Sequence, residues 1–351
     1  MQNGKSLFRS AAVVVLCSMT MASSLQDSEE ETSEPTSNPS EEQPFPRQMR
    51  IGTEGLFRPS ALLQGWFFAQ KAQETATTFR MRRAELRARG EIAPGWVDYS
   101  VMVDPARRGR GAASILQDLF VTVKTPYANI SLGQFKTPVS WEGYNSSARL
   151  LLPERALVSL NYGNWRDMGI RVAKEFPYFG YSAGVFNGSG TDTLDLDNAK
   201  DVALRLEAYP IEGLVIGGVA YVTVGNRSVA ATDRYEADLR FERGPFLFQS
   251  EYIYARDKQD AAPAVKGHGF YGAVAWTFWE RLQPAFRVGY MDPNIRLKSA
   301  SGESHRVWQT DVGLNYYVQK HEMKFQLAYS RFQHKTLKPS HELILAGQVA
   351  F

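Results

Sequence analysis

Short segments in which polar and apolar side chains alternate dominate residues 61–351. In the clearest segment the apolar set is Trp308, Val312, Leu314, Tyr316 and Val318, and the polar set between them is Gln309, Asp311 and Asn315. In a β-strand such alternation gives each set its own face. We read sixteen segments of about ten residues, the length that a tilted strand needs to cross a bilayer. The pattern predicts an all-β fold, a 16-stranded antiparallel transmembrane β-barrel.

The connections between these segments alternate in length. Every second connection is short, as at 243–245 and 319–320, whereas most of the others are longer and polar, as at 257–267. A barrel with both termini in the periplasm has this arrangement, with tight turns on the periplasmic side and loops outside. A soluble secreted β-sandwich would show the same alternation and remains an alternative. The sorted connections and the aromatic residues near the segment ends favour the barrel.

The N-terminal residues have the features of an export signal followed by a polar tract. Lys5 and Arg9 precede a short apolar core at 11–17, and small residues follow at 22–24, which predicts a signal peptide at 1–24. Residues 25–58 are rich in Ser, Thr, Pro and acidic residues, so we predict a disordered periplasmic segment there and the barrel at 59–351. Cys17 is the only cysteine, so the mature chain has no disulfide and no thiolate site.

The predicted barrel is mildly basic. The whole chain has 40 basic and 37 acidic residues, a net charge of +3, but beyond residue 50 there are 36 basic and 30 acidic residues. This excess weakly favours anionic solutes or lipopolysaccharide phosphates as partners. We expect no nucleic-acid partner.

One connection, 137–164, is far longer than the turns of ordinary hairpins. It contains Trp141, Tyr144, Leu150, Leu151, Leu152, Leu157 and Val158. A segment this apolar is not expected to extend into solvent. We predict that this third loop folds into the barrel and narrows it, and an external cap over the barrel mouth is the alternative.

The second predicted strand is the most basic part of the chain. Its arginines are Arg80, Arg82, Arg83, Arg87 and Arg89. Ala84, Leu86 and Ala88 form the apolar face, which predicts that Arg83, Arg87 and Arg89 face the lumen, because arginine on the lipid face costs about 2–4 kcal/mol at the bilayer centre. A bulge near Arg82 would turn Arg80 and Arg82 inward as well.

A row of guanidinium groups along a lumen guides anions, because each group binds phosphate oxygens in bidentate fashion and repels cations. The alternative is that some of these arginines pair with lumen carboxylates such as Glu85, Asp104 and Asp118. Both interpretations stay open at the level of the sequence.

The sequence contains no complete catalytic motif that we recognise. His321-Glu322 and His341-Glu342 begin zinc-protease-like patterns, but Phe325 and Leu345 occupy the positions of the second histidine. A nucleophile elbow of the G-x-S-x-G type is also missing from the sequence. We therefore predict that the protein is not an enzyme and uses no metal or cofactor, and an outer-membrane lipase is a remote alternative.

Several motifs in one order resemble the phosphate-selective porin O/P family of outer-membrane channels. They are Phe79 with Arg82-Arg83-Ala84, Asp104 with Arg107, the stretch 132–138 (LGQFKTP), Ser146-Ser147, Glu154-Arg155, 165–169 (WRDMG) and 184–188 (GVFNG). The resemblance implies a 16-stranded trimeric barrel with arginines along the pore. It also implies that Arg82, Arg83 and Arg155 guide anions and that Asp104 lies near the constriction.

The chain departs from the resemblance at one position. Phosphate-binding members have a lysine just after the loop's W/L-E pair, whereas Gly143 follows Trp141-Glu142 here. Lys136 stands where those members have a tyrosine and is a candidate for the missing charge. The departure puts strict phosphate selectivity in doubt and leaves a general preference for anions.

The sequence therefore predicts an outer-membrane porin, a passive diffusion channel for small hydrophilic solutes that prefers anions such as phosphate and chloride. The predicted pore-lining, anion-binding residues are Arg80, Arg82, Arg83, Arg87, Arg89, Asp104, Lys136, Arg149, Arg155 and Arg166. We expect outer-membrane lipid, lipopolysaccharide and two further copies of the chain as partners. A non-selective porin and a closed barrel that acts as a surface receptor or adhesin remain as alternatives.

Overall fold

The computed structural model describes residues 49–51, 55–72, 74–110, 114–163, 165–225, 230–259, 263–295, 305–335 and 338–351. The predicted signal peptide at 1–24 and most of the predicted acidic segment at 25–58 lie outside these residues. Among the described residues, no helix has the length and apolar character needed to cross a membrane.

Seventeen strands follow one another along the described chain. The first six are β1 (Met49–Ile51), β2 (Gly55–Lys71), β3 (Thr75–Ala93), β4 (Val97–Val103), β5 (Leu116–Lys124) and β6 (Asn129–Lys136). The next six are β7 (Arg166–Glu175), β8 (Phe179–Phe186), β9 (Lys200–Ala208), β10 (Leu214–Val224), β11 (Ala230–Arg243) and β12 (Phe246–Gln259). The last five are β13 (Val265–Trp276), β14 (Leu282–Asp292), β15 (Val307–Gln319), β16 (Met323–His334) and β17 (Ser340–Ala350).

Strands β2–β17 form a closed antiparallel barrel. Each pairs with its neighbours in sequence, and β17 returns to pair with β2, where Leu345 lies opposite Phe67. Closure removes the free edges that an open sheet would expose. The predicted 16-stranded barrel is confirmed, and β1 is a short additional strand paired with the start of β2. β2 begins before the boundary that we predicted at residue 59, because its first residues already pair with β3.

The connections sort into two ends of the barrel, as the sequence predicts. At the turn end, strands are joined by tight turns, such as the one between β11 and β12, where Gly244 has a positive φ of 57°. Glycine adopts this conformation without the steric penalty of a side chain. At the loop end most connections are longer, with the short β2–β3 connection as an exception, and the longest joins β6 to β7. It contains two short helices, Trp141–Tyr144 and Leu157–Tyr162.

The barrel is apolar outside and polar inside, the reverse of a soluble protein. In β15, Leu314 faces outward and is 41% exposed, whereas Asp311 and Asn315 face inward and are fully buried. Exposed aromatic side chains mark the turn end: Trp96, Tyr127, Tyr178 and Trp279. Aromatic rings at this position form the interfacial girdle of a membrane barrel.

Candidate functional site: the lumen and its inner loop

The connection between β6 and β7 lies against the inner wall of the barrel. We call its described residues, 137–163, the inner loop. Its main chain bonds to inward-facing side chains of strands that are far away in sequence, from β11 to β17 and on to β2. These contacts place the inner loop within the lumen.

Carboxylates of the wall hold the first half of the inner loop by its amides. Glu236 on β11 accepts hydrogen bonds from the amides of Ser140 and Trp141, at 2.6 and 2.9 Å. Glu251 on β12 accepts one from the amide of Glu142, at 3.1 Å. Amides at the start of a helical turn have no partner within the turn, and these carboxylates supply it.

Amine and amide side chains hold the second half by its carbonyls. Lys324 donates to the carbonyl of Leu150 at 2.9 Å, and Asn315 donates to that of Leu151 at 2.8 Å. Gln348 donates to the carbonyl of Ala148 at 3.1 Å. Because the wall satisfies the loop's buried polar groups, the loop is a fixed part of the lumen.

Apolar side chains fill the space between the inner loop and strands β12–β16. This cluster contains Leu151, Leu152, Ala156, Val158, Tyr162, Ile253, Ala255, Tyr271, Ala273, Ala275, Ala285, Met291 and Ala328. Gly313 and Gly267 make room, because a Cβ atom at either position would collide with Leu152 or Tyr162. Strands β11–β17 and the inner loop therefore form a packed half of the lumen.

The opposite side of the inner loop faces β3–β7, which we call the open half. At its centre Glu154 of the loop pairs with Arg82 at 2.7 Å and with Arg83 at 3.5 Å. The register between β2 and β3 shifts here: Gln64 lies opposite Arg83, and Gly65 lies opposite Met81. Arg82 is thus the extra residue of a β-bulge, and both arginines face the loop.

Glu154 stands out electrostatically, although it was not among the predicted site residues. Burial alone would raise its pKa, but the positive charges of Arg83, Arg82 and Arg155 outweigh burial and lower the pKa to about 2. Glu154 is therefore ionised at neutral pH and offsets part of the arginines' charge. In the sequence, Glu154 was noted only as part of the Glu154-Arg155 motif that resembles the family.

The other arginines of β3 continue above and below this centre. Toward the loop end, Arg80 lies over the rings of Trp66 and Phe68, with its guanidinium carbon 4.9 and 4.4 Å from their centroids. Toward the turn end, Arg87 pairs with Glu85 at 3.5 Å. Arg89 has no ion-pair partner among the residues that the structure describes, and the same holds for Arg80.

A cavity of about 700 Å³ opens below the centre, at the turn end of the open half. Arg87 and Arg89 line it together with Arg58, Lys124 and Asp98. Lys124 pairs with Asp98 at 2.8 Å, and Arg58 pairs with Glu91 at 3.8 Å. Arg89 is thus the predicted arginine that remains available to a solute in this cavity.

Asp104 holds the backbone beside the open half. Its carboxylate accepts hydrogen bonds from the amides of Ala84 and Ala106, at 2.9 and 3.2 Å. These bonds fasten the 3₁₀ turn Pro105–Arg110 to β3. The turn carries Arg107, whose Nη1 is buried without a hydrogen-bond partner among the described residues. The sequence had identified Arg107 only as a neighbour of Asp104.

Lys136 has a different role from the one we considered for it. Its amine donates to the carbonyls of Gly143, Tyr144 and Asn145, at 2.8, 3.2 and 2.6 Å. An ammonium group has three donors, so all of them are engaged. Lys136 anchors the inner loop and has no donor left for a solute.

Arg155 and Arg166 are also engaged. Arg155 donates to the carbonyl of Glu142 at 3.0 Å and to Ser147 Oγ at 3.2 Å, and it is 2% exposed. Arg166 pairs with Asp118 at 2.6 Å. Their positive charges border the open half, but their hydrogen bonds hold the loop and the wall. Pairing with lumen carboxylates, the alternative that the sequence left open for the β3 arginines, therefore applies to Arg82, Arg83 and Arg87. Arg166 on β7 is paired in the same way.

Arg149 lies apart from the other predicted residues. It lines a second cavity of about 380 Å³ on the turn-end side of the packed half, together with Arg240, Lys320 and His321. Arg240 lies over the Trp141 ring at 5.3 Å. The structure therefore brings nine of the ten predicted residues to the open half and separates Arg149 from them.

The open half carries more basic than acidic side chains. Among the described residues, its acidic side chains include Glu85, Glu91, Asp98, Asp104, Asp118, Glu154 and Asp167, and its basic ones include Arg58, Arg80, Arg82, Arg83, Arg87, Arg89, Arg107, Lys124, Lys136, Arg155, Arg166 and Arg171. Such a lining attracts anions and repels cations.

A family comparison covers most of the barrel. The sequence model of the family described as phosphate-selective porin O and P matches residues 65–215 and 214–346. A comparison with curated proteins returns no match.

Solved structures of outer-membrane proteins share the fold. OmpT of Vibrio cholerae, in a structure described as a trimer form, has a TM-score of 0.64 at 10% identity and covers 85% of this chain and 100% of its own. An anion-selective porin from Comamonas acidovorans has a TM-score of 0.65 at 11% identity, with coverage of 85% and 100%. Salmonella typhi OmpF in complex with daunomycin has a TM-score of 0.66 at 11% identity, with coverage of 87% and 100%. At these identities the likeness is one of fold.

Proposed function

Because the chain belongs to the phosphate-selective porin O and P family, we propose that its lumen is a passive diffusion path that prefers small anions, phosphate and chloride among them. The protein is a channel of the bacterial outer membrane, as the family and the fold indicate. We propose further that it catalyses no reaction and that the concentration gradient of the solute drives transport.

The observation that carries the anion preference is the row of arginines along β3. Arg80, Arg82, Arg83, Arg87 and Arg89 all face the open half, spread from above the inner loop to the cavity below it. An anion that leaves bulk water exchanges part of its hydration for guanidinium donors. Several sites of modest strength in series let the anion move on instead of being trapped.

Two features of the loop support a general anion preference over strict phosphate selectivity. Gly143 offers no side chain where phosphate-binding members of the family have a lysine, and Lys136 is held by three carbonyls. No free ammonium group therefore stands at this point of the constriction. We expect chloride and phosphate to pass, with phosphate retained longer because its several oxygens bind more than one arginine.

Planar-bilayer recordings test this function. Across a KCl gradient we expect a reversal potential of the sign that chloride permeation gives, and phosphate added to both sides should lower the chloride current. A reversal potential of the opposite sign would rule out the anion preference. A neutral sugar that blocks the current as well as phosphate does would support the non-selective porin instead.

A closed barrel that acts as a receptor is a second candidate, because the inner loop fills the packed half of the lumen. The same recordings separate the two candidates. Protein that is folded and inserted in lipid, as protease protection shows, but conducts no current would favour the receptor.

We propose a trimer as the functional assembly. The structure of Vibrio cholerae OmpT is described as a trimer form, and β4–β6 are short and present exposed apolar side chains such as Leu119, Val121 and Leu132. A mass of three chains by light scattering in detergent is the expected result, and a single-chain mass would contradict it.

We propose that export removes residues 1–24 and leaves the residues from 25 to the start of β1 as a periplasmic segment. N-terminal sequencing of protein isolated from outer membranes is expected to start near residue 25. A start at Met1 would contradict the proposed signal peptide.

A further inference from the structure

Three neighbouring side chains form a basic group on the outer face of the barrel at the loop end. Arg331 lies opposite His341 across β16 and β17, and His341 lies opposite Lys71 across β17 and β2. Residues opposite one another in antiparallel strands have Cβ atoms about 4.5–5.5 Å apart. We call these three residues the outer cation row; Arg331 and Lys71 supply its positive charge, and His341 lies between them.

The row lies on the outer surface of the barrel, because the alternate positions face the lumen. Ser330, Glu342 and Gln70 lie opposite one another on the same three strands, and Gln70 donates to Glu342 inside the barrel at 3.3 Å. Successive side chains of a strand point to opposite faces. Arg331, His341 and Lys71 therefore point outward.

The row stands at the border of the apolar belt. The next outward residues toward the turn end are Tyr329, Leu343 and Ala69, followed by Leu327, Leu345 and Phe67. The Tyr329 hydroxyl is 2.6 Å from His341 Nδ1 and the two rings are stacked, which fixes the imidazole. At the turn end the same strands present Met323, Val349 and Leu63. On these strands the outward positive charge therefore lies on one side of the membrane.

The row is not neutralised by the strands beside it. Its neighbours in register are Thr310 on β15 and Thr75 on β3, which are both uncharged. Glu74 is the first acidic residue after Lys71 in the chain, and its side chain is exposed in the β2–β3 turn. Another outward-facing arginine does have an acidic partner on the neighbouring strand: Arg256 on β12 pairs with Asp233 on β11 at 3.5 Å.

A groove of about 520 Å³ adjoins the row at the loop end. Tyr290 and Trp308 form its aromatic side, with ring centroids 4.9 Å apart, and Gln333 and Lys335 extend the β16 side above Arg331. The surface thus has apolar side chains below, positive charge at the border and, above, a groove with an aromatic wall and polar side chains at its edge. An amphiphile with acyl chains, phosphate and sugar has the same order of groups.

We propose that the outer cation row binds a phosphate group of lipopolysaccharide lipid A in the outer leaflet, with the acyl chains on the apolar belt and the sugar in the adjoining groove. Arginine and lysine donate charge-assisted hydrogen bonds to phosphate oxygens, and their apolar stems lie along the belt. The inference rests on the outer-membrane location and not on the anion preference. The bound lipid would bridge β17 and β2, the seam that closes the barrel.

Native mass spectrometry of the purified, exported protein in detergent tests the proposal. The probe is bisphosphorylated lipid A, compared with the same lipid without phosphates and with phosphatidylglycerol. We expect the protein to bind bisphosphorylated lipid A at least tenfold more tightly than either comparison lipid. K71Q/R331Q should lose at least tenfold in affinity, since each basic residue at an anionic lipid surface contributes about fivefold.

The matched control is R256Q/K266Q, which removes two outward basic residues that lie opposite one another on β12 and β13. Because Asp233 pairs with Arg256 and halves the net charge of these two residues, we expect less than a threefold loss. The proposal is overturned if K71Q/R331Q binds bisphosphorylated lipid A as tightly as the unmodified protein does. It is also overturned if the unmodified protein binds phosphate-free lipid A as tightly as bisphosphorylated lipid A. Phosphatidylglycerol bound as tightly as lipid A would overturn lipid A as the occupant. If the double variant does not fold, the single variant R331Q replaces it in the binding assay. Chloride selectivity should be unchanged in either variant, which shows that this site is distinct from the pore.

Discussion

The two halves of the lumen contain the same kinds of side chain and use them differently. In the packed half, Glu236, Glu251 and Lys324 are engaged with the main chain of the inner loop. In the open half, Arg80 and Arg89 face the lumen without ion-pair partners among the described residues. The difference indicates that a charge inside a barrel is most available to a solute where no backbone group or opposite charge engages it.

Removing a buried charge from the packed half should have the largest effect. Arg287 pairs with Asp311 at 2.7 Å and with Glu142 at 3.4 Å, and it donates to the carbonyl of Glu154 at 3.1 Å. Arg287→Met leaves two buried carboxylates without their partner, which costs about 3–5 kcal/mol. We expect a lower unfolding temperature in the gel assay of heat-dependent migration.

The control for this prediction is Arg256→Met, which removes an arginine that is 40% exposed and pairs with Asp233. An exposed pair of this kind contributes about 0–1 kcal/mol. Equal unfolding temperatures for the two variants would contradict the claim that the packed half holds the loop.

Lys136→Met comes next and separates anchoring from anion binding. The substitution leaves the carbonyls of Gly143 and Asn145 without their donor, which should cost about 2–3 kcal/mol. We expect a less stable barrel with a noisier current, because the inner loop is released. The sign and size of the reversal potential should change little. If the variant is stable but has lost its anion preference, Lys136 contributes directly to anion binding in the pore.

The pH dependence of stability probes the boundary between the halves. Glu154 has a pKa of about 2 in the folded protein against an ordinary value of 4.5. Its ionised form therefore stabilises the fold above pH 4.5, and this contribution is lost as the pH falls from about 4.5 to 2. Thermal unfolding between pH 7 and 2 should show this loss in the unmodified protein and not in Glu154→Gln. Parallel curves for the two proteins would mean that Glu154 is not held by Arg82 and Arg83.

His321 should give the smallest of these effects, because its side chain is more exposed to solvent than that of Glu154 and solvent screens the nearby charges. Burial and the nearby charges of Lys324, Arg149 and Arg240 lower its pKa to about 4, against an ordinary value of 6.5. Because the unfolded chain takes up the proton first, stability should fall as the pH decreases from about 6.5 to 4. His321→Gln should flatten that part of the thermal-unfolding curve, and an unchanged slope would show that the imidazole is protonated in the folded state.

The sequence was sufficient for the architecture because the barrel depends on local alternation. The apolar set of β15 and the sorted connections predicted the strands, and the length and apolar content of 137–164 marked the inner loop. The arginines of β3 were assigned to the lumen for the same reason, since lipid excludes them from the other face.

The sequence could not predict which group each charged lumen side chain binds, because the two partners are distant in sequence. Glu154 is 72 residues from Arg82, and the carbonyl that Lys324 binds is 174 residues away. Alternation assigns a side chain to a face and gives no information on what lies across the lumen. The family resemblance, which predicted Lys136 and Arg155 as anion sites, likewise gives no information on their partners, and their donors bind the loop.

Reversal potentials of two charge-matched variants test the central claim most directly. Arg80→Gln with Arg89→Gln removes two lumen charges from the open half, and Arg240→Gln with Lys320→Gln removes two from the cavity of the packed half. In about 0.1 M salt, a charge about 8 Å from a permeating ion changes that ion's energy by about 0.2 kcal/mol. The change has opposite signs for chloride and potassium, so each charge contributes about 0.5 kcal/mol, or about twofold, to the permeability ratio. We predict an about fourfold lower chloride-to-potassium ratio for the open-half variant and a nearly unchanged ratio for the packed-half variant. Equal losses in both variants, or a loss only in the packed-half variant, would contradict the assignment of anion selectivity to the open half.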